Sequence, residues 1–205
     1  MDPRFQHSFT MTLSGPTGSG KTEWVKRFIR NIVSVMSPVP DEIVWCYGEW
    51  QEGYQDIQSL VSFTEGIPNI ESWDTKTKRL MIIDDLMAEA DERVSRLFTK
   101  GSHHRNISVI YLVQNFFNKN KHQRTITLNS HYLVLFKNPR DKSQIGHLAK
   151  QMYPGHIAFV HEAFKQATDR PFGYLLFDLR QDTPDHLRLR TNIFPPDYQV
   201  VFVQK

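Results

Sequence analysis

Cysteine is almost missing from this chain. Cys46 is the one cysteine in 205 residues, so no disulfide can form within the chain, and the composition fits a reducing compartment. Long apolar runs are missing too: no stretch approaches the ~20 residues of a membrane span. The opening MDPRFQHSF lacks a basic segment followed by an apolar one and does not read as a secretory signal. An excess of one charge is also absent. With 25 Lys and Arg against 22 Asp and Glu, the net charge is only +3. That excludes a global basic coat for nucleic acid, and any such contact must come from a local patch. Repeats, low-complexity segments and long linkers are not found. The remaining composition, 40% hydrophobic and 23% charged, is that of an ordinary soluble, intracellular globular protein.

Apolar runs alternate with helix-like stretches. FTMTLSG (Phe9 to Gly15) reads as a first strand, followed by a glycine-rich loop and a helix from about Gly20 to Met36 that Pro38 and Pro40 end. Strands are expected at Glu42 to Gly48, Arg79 to Leu86, Ile107 to Val113 and His131 to Lys137. Helices are expected at Tyr54–Val61, Ala88–Thr99, Ser143–Met152 and His156–Ala167. Continuous apolar strands alternating with helices imply an α/β fold, a mostly parallel sheet with helices on both faces. The end differs. FGYLLFDL and HLRLRTNIF flank the polar RQDTPD and read as a C-terminal β-hairpin, about 172–194, after a core of about 8–168, in one domain spanning 1–205. Along the second hairpin strand Leu187, Leu189, Thr191 and Ile193 oppose Arg188, Arg190 and Asn192, so both arginines are expected on the open face.

GPTGSGKT fits G-x-x-x-x-G-K-[ST] with Gly15, Gly20, Lys21 and Thr22 at the fixed positions and Pro16, Thr17, Gly18 and Ser19 between them. Glycines let a backbone wrap a phosphate with its N–H groups pointing inward, and the helix N-terminus that follows adds partial positive charge. Lys21 would reach the β- and γ-phosphates of ATP, and the Thr22 hydroxyl would ligate Mg²⁺. A chance glycine-rich turn is the alternative, but the motif stands between an apolar strand and a helix, the context it requires.

LMIIDD places Asp84 and Asp85 after four apolar residues, at the strand end that faces the ligand crevice of a parallel sheet. Asp84 would point at Mg²⁺, directly or through water, and Asp85 would polarise the attacking water. Two adjacent carboxylates need a nearby cation to stay ionised together. A turn ending the strand is the plainer reading. Glutamate is more familiar at the second position, and aspartate reaches less far.

The order is then phosphate loop, Asp-Asp strand, helix, and a strand closed by Gln114. This combination resembles the HerA/FtsK superfamily of P-loop DNA-pumping ATPases. Within it the chain looks like the compact genome-packaging ATPases of large and mid-sized eukaryotic DNA viruses and related transposons, the poxvirus-type family. GPTGSGKT, LMIIDDLM, GSHHRNISVIYLVQN and TLNSHYLVLFKNPRDKSQI carry the resemblance, from Gly15 to Ile145. The first motif is common to all P-loop proteins; its combination with Gln114 is far more specific. The resemblance implies a RecA-like sheet, a homo-oligomeric ring, double-stranded DNA as partner, a capsid or portal protein as a further one, and an infected host cell, nucleus or cytoplasm. It assigns γ-phosphate sensing to Gln114. A neutral amide can hold the attacking water without adding charge; a strand-capping side chain is the alternative. YGEWQEGYQ (Tyr47 to Gln55) puts polar and aromatic residues at a strand C-terminus, placed to line the nucleotide pocket; the family is similar here, but no role falls to Glu49 or Gln51, and Trp45, Trp50 and Tyr54 read as packing residues.

His103, His104 and Arg105 lie at the other end of the Ile107–Val113 strand, about 20 Å from the nucleotide of their own subunit. In a ring, Arg105 is a candidate arginine finger for a neighbour's site, with Arg96 and Arg140 as rivals and a solvated loop arginine as the plain reading. Adjacent histidines suit one metal ion badly, and no cysteine or carboxylate cluster lies near them. After Gln114, NFFNKNKHQR interleaves Phe116 and Phe117 with Lys119, Lys121, His122 and Arg124. In related RecA-like ATPases this loop enters the central channel, so Lys119, Lys121 and Arg124 are candidate DNA contacts; a solvated basic turn over two core phenylalanines is the alternative. The function expected is a Mg-ATP-hydrolysing motor that packages double-stranded DNA. A P-loop nucleoside or nucleotide kinase and a nucleotide-dependent DNA-binding protein with little turnover are the rivals, although no arginine-rich lid of the kinase kind is evident.

Overall fold

The structure, a computed structural model, describes residues 2–84, 86, 90–101, 105–116 and 121–204. The strands are β1 (Phe5–Gln6), β2 (Thr10–Ser14), β3 (Met36–Ser37), β4 (Glu42–Tyr47), β5 (Ser62–Glu65), β6 (Arg79–Asp84), β7 (Ile107–Val113), β8 (Tyr132–Phe136), β9 (Tyr174–Asp178), β10 (Leu189–Thr191) and β11 (Val200–Phe202). The α-helices are α1 (Lys21–Arg30), α2 (Ile32–Val35), α3 (Ala90–Arg96), α4 (Lys121–Leu128), α5 (Ser143–Met152) and α6 (Ile157–Ala167). Among the described residues, nine strands form one sheet in the order β5-β4-β6-β7-β2-β8-β9-β10-β11. Pairing is parallel from β5 through β8 and antiparallel from β8 through β11. The mostly parallel sheet with a C-terminal antiparallel extension follows from the apolar runs, because a strand buried on both faces carries no polar alternation.

Each central strand feeds two cores. Leu80 and Ile82 of β6 join Trp24, Val25 and Phe28 of α1 on one face. Met81 and Ile83 join Val94, Leu148 and Val160 of α3, α5 and α6 on the other. Each such side chain taken out of water contributes ~1.5–3 kcal/mol. Strand β2 is an exception: Met11 and Leu13 enter the α1 core, but Thr10, Thr12 and Ser14 are buried on the opposite face. Each has a partner there, since Thr10 Oγ1 donates to the Asn129 carbonyl (2.6 Å), Thr12 Oγ1 meets Ser130 Oγ (2.8 Å) and Ser14 Oγ donates to Gln144 Oε1 (3.0 Å).

Several elements differ from the reading of the sequence. The helix expected over Gly20–Met36 breaks at Asn31, whose backbone leaves the helical region (φ −108°, ψ 19°). Its side-chain amide donates to the Arg27 carbonyl at 2.9 Å and so competes with the helix ladder. The segment expected to be helical at Tyr54–Val61 is a 3₁₀ helix at Glu52–Ile57, followed by the edge strand β5. Strand β11 extends the hairpin. Arg190 is not on an open face: it is 3% exposed and pairs with Asp178 at 2.7 Å, while its Nη1 donates to the Pro3 carbonyl. The basic stretch after Gln114 is not all loop, because Lys121–Leu128 is helix α4 and buries Ile126. Asp85, His103, His104, Phe117 and Lys119 lie outside the described residues.

Candidate functional site

The C-terminal ends of β2, β7 and β6 face one side of the sheet, and the chain leaves β2 there through Gly15–Gly20 into α1. A side chain at Gly15 would put its Cβ 2.6 Å from Ser19 Oγ and 2.7 Å from Phe136 Cβ, so the loop closes only over glycine. Gly20 sits at φ +98°, where a side chain is strained, and turns the chain into α1. The Gly15 N–H donates to the Val113 carbonyl (3.2 Å), which ties the loop to the end of β7. Lys21 folds over the loop, its Nζ donating to the carbonyls of Gly15 and Pro16. Ser19 Oγ is buried with no hydrogen-bond partner among the described residues. An anion seated in the loop offers the acceptor it lacks.

Strand β6 brings Asp84, 6% exposed, to the same side. Its Oδ2 accepts from the Tyr54 hydroxyl at 3.0 Å and lies 3.4 Å from Thr22 Oγ1. Thr22 and Asp84 are hard oxygen donors placed together beside the phosphate loop, and this donor set fits Mg²⁺. Strand β7 runs between β2 and β6, so Gln114, the residue after it, falls between the loop and Asp84. One cavity of ≈ 350 Å³ is lined by Thr17–Glu23, Gln51, Asp84, Gln114 and Phe172, among others. The structure thus joins the phosphate loop, Thr22, Asp84 and Gln114 in one place. Gln51 lines it too, from the YGEWQEGYQ stretch that the sequence placed at the pocket, and the structure adds two residues not singled out for the site: Tyr54, which read as packing, and Phe172.

Two further ties hold this arrangement. The 3₁₀ helix that carries Tyr54 is anchored to α1 by Lys26, 2% exposed, whose Nζ donates to Asp56 (2.8 Å) and Glu23 (2.7 Å). Burial pushes the Lys26 ammonium down, and its hydrogen bonds to Asp56 and Glu23 more than offset it, so its pKa ends raised. On the other side of β7, the buried Gln144 accepts at Oε1 from Ser14 Oγ (3.0 Å) and from the Phe116 N–H (3.3 Å). Asp141 accepts from Asn115 Nδ2 (3.0 Å) and Gln144 Nε2 (3.3 Å). Hydrogen bonds from the Ser143 hydroxyl and backbone hold its carboxyl below the usual range. Gln144 therefore links the strand before the phosphate loop to the segment after Gln114. Cys46 is buried on β4, and burial pushes its thiol up to about 12, which makes it inert rather than nucleophilic.

Arg105 stands apart from the cavity. It precedes β7, a strand of 7 residues that spans ~23 Å, while the cavity lies past the strand's other end. Its Nη1 donates to the carbonyls of Ile70 (2.9 Å) and Glu71 (3.3 Å). Arg93, Arg96 and Arg105 line one groove of ≈ 560 Å³ with Ile67–Glu71. Arg140 is exposed in the loop after β8 and does not line the cavity. Phe116 is 1% exposed and anchors the chain in the core, so it offers no face to a base. Arg124 is exposed on α4. Among the described residues no His, Cys, Asp and Glu group could hold a metal ion by itself, and no helix is long and apolar enough to cross a membrane.

No family model and no curated protein matches the chain. Solved structures do. The genome packaging NTPase B204 from Sulfolobus turreted icosahedral virus 2, in complex with ATP-gammaS, superposes with a TM-score of 0.55 at 12% identity, over 89% of this chain and 96% of that one. The cytoplasmic domain of the Thermomonospora curvata Type VII secretion ATPase EccC superposes with a TM-score of 0.53 at 12% identity, over 94% of this chain and 25% of that one. At such identities the likeness is one of fold, and the fold of this chain is that of the P-loop NTPases.

Proposed function

We propose that this chain is a Mg²⁺-dependent ATPase of the HerA/FtsK kind, working in a homo-oligomeric ring to move double-stranded DNA into a viral capsid. The observation that carries the reading is the single cavity in which the phosphate loop, Asp84 and Gln114 meet, with the Gln114 strand between the other two. Gly15–Gly20 and the α1 N-terminus cradle the phosphates. Lys21 leaves the Gly15 and Pro16 carbonyls for the β- and γ-phosphates. Thr22 and Asp84 would hold Mg²⁺, which when bound would neutralise charge that develops on the phosphates. Gln114 orients the attacking water against the γ-phosphate, and Asp85 polarises it. Arg105 reaches a neighbour's γ-phosphate, and Lys119, Lys121 and Arg124 follow the DNA backbone. The similarity to a packaging NTPase supports the fold this reading needs; DNA as the cargo rests on the resemblance in the sequence.

The test is phosphate release from Mg-ATP by the full chain, with and without duplex DNA. Turnover is expected to rise with DNA and to fall at least a hundredfold in Lys21→Ala, on the order of what one transition-state charge contributes. Transfer of phosphate to a nucleoside acceptor instead of water would replace the motor with a kinase. Turnover indifferent to DNA would remove DNA as the cargo.

A further inference from the structure

We propose that Phe172 is the platform on which the base of the bound nucleotide stacks, an inference that rests on the nucleotide-binding reading above. Phe172 lies between α6 and β9 in the segment TDRPFG. It is an apolar ring left 67% exposed at the mouth of the cavity that the phosphate loop lines. Its backbone is held at φ +61°, a region a phenylalanine rarely enters and one that clusters at ligand sites. The side chain lies against the phosphate loop itself: a Cβ on Gly20 would come within 3.1 Å of its Cδ1 and 3.2 Å of its Cβ.

The sheet order fixes which part of a nucleotide meets this ring. Asp84 ends β6, two strands from β2 in one direction, with Gln114 just past the end of the strand between. Strand β9 is two strands from β2 in the other direction. Because β9 runs antiparallel to β8, Phe172, just before its start, falls at the same sheet edge as the phosphate loop. At ~4.8 Å between strands, the metal side and the Phe172 side each lie about 10 Å from the loop's own strand. A triphosphate in the loop with its γ end toward Asp84 and Gln114 leaves the nucleoside pointing the other way, toward Phe172. The ring then offers a π-face, which every base can use. Binding through a stack is therefore tolerant of base identity, and ATP and GTP are expected to bind within about threefold of each other.

The experiment compares ATP with inorganic tripolyphosphate, both with Mg²⁺, on the full chain. Affinities are measured by titration calorimetry for wild type, Phe172→Ala and Phe172→Trp. Phe172→Ala is expected to weaken ATP about tenfold or more and to change tripolyphosphate less than about twofold. Phe172→Trp is expected to keep ATP affinity, and its added fluorescence relative to wild type to be quenched by ATP and not by tripolyphosphate. Equal weakening of both ligands in Phe172→Ala would mean that the ring only props Gly20 and would overturn the proposal. So would unchanged ATP affinity in that variant. If wild type binds neither ligand, the nucleotide reading itself falls, and the stack with it. If wild type binds both with equal affinity, only the stack falls.

Discussion

Asp84 ends β6 after four apolar residues and takes the Tyr54 hydroxyl as a buried partner. Tyr54 stands in an aromatic run with Trp45, Tyr47, Trp50 and Phe63, and its ring does pack among them, with centroids 5.2 Å from Trp45 and 5.4 Å from Phe63. Its hydroxyl nevertheless emerges at Asp84 Oδ2, 3.0 Å away. A donor at that oxygen fixes which lone pairs remain for a cation, as groups that hydrogen-bond to metal ligands do. Tyr54→Phe keeps the packing and removes the donor. The expected outcome is unchanged urea stability to within about 0.5–1.5 kcal/mol, with Mg²⁺ half-saturation of ATP turnover raised about tenfold or more. An unchanged Mg²⁺ dependence would reduce Tyr54 to a packing residue.

At the scale of elements, β6 and β7 of the site were readable as nearly continuous apolar runs, and β2, which alternates Thr10, Thr12 and Ser14 with Met11 and Leu13, from its place before the phosphate loop. Strand β7 has the bounds the pattern gave it, Ile107–Val113. Strands β5 and β11 were not readable: SFTE and VVF are short edge strands with one neighbour each, half-exposed, and leave no periodic signal. Arg190 misled for the opposite reason. Alternation alone puts it on the open face, but Asp178 and the Pro3 carbonyl receive it in a buried pocket. The joint between elements least visible in sequence is Gln144, on α5, which serves both the end of β2 and the chain after Gln114. Gln144→Leu fills the same space and removes the oxygen to which the buried Ser14 hydroxyl and the Phe116 N–H donate. The expected loss is about 2 kcal/mol, seen as a lower urea midpoint with the same slope. Gln144→Glu keeps the acceptor but sets a buried carboxylate against Asp141, which now accepts from the Gln144 amide, and is expected to lose at least as much. A midpoint unchanged in Gln144→Leu would mean that water or a neighbour satisfies both donors.

For the whole molecule, the question is why the cavity and the arginine groove lie at different ends of the strands. The cavity opens past the C-terminal ends of β2, β6 and β7, whereas Arg105 precedes β7 and sits in the groove on the β5 flank with Arg93 and Arg96. Within one subunit these cations do not meet the nucleotide. A head-to-tail ring gives such a flank a neighbour's cavity to face, because heterologous contacts repeat one surface against another. Turnover is then expected to climb steeply with protein concentration, and Arg105→Ala to lose about a thousandfold, the lower range for an arginine finger. Loss of the carbonyl contacts to Ile70 and Glu71 is a confounding effect, and Arg105→Lys separates it. Lysine keeps a cation and a donor but not the planar fork, so it is expected to restore the fold and little of the rate. The decisive measurement mixes subunits. Arg105→Ala keeps its own phosphate loop, and Lys21→Ala keeps its arginine, so each is silent alone. In a one-to-one random ring about a quarter of the interfaces join an intact loop to an intact arginine, and turnover is expected to recover to at most about that share of wild type. Activity that is independent of concentration would remove the ring. A concentration-dependent wild type with no recovery in the mixture would pass the role from Arg105 to Arg93 or Arg96, whose alanine variants mix with Lys21→Ala in the same way.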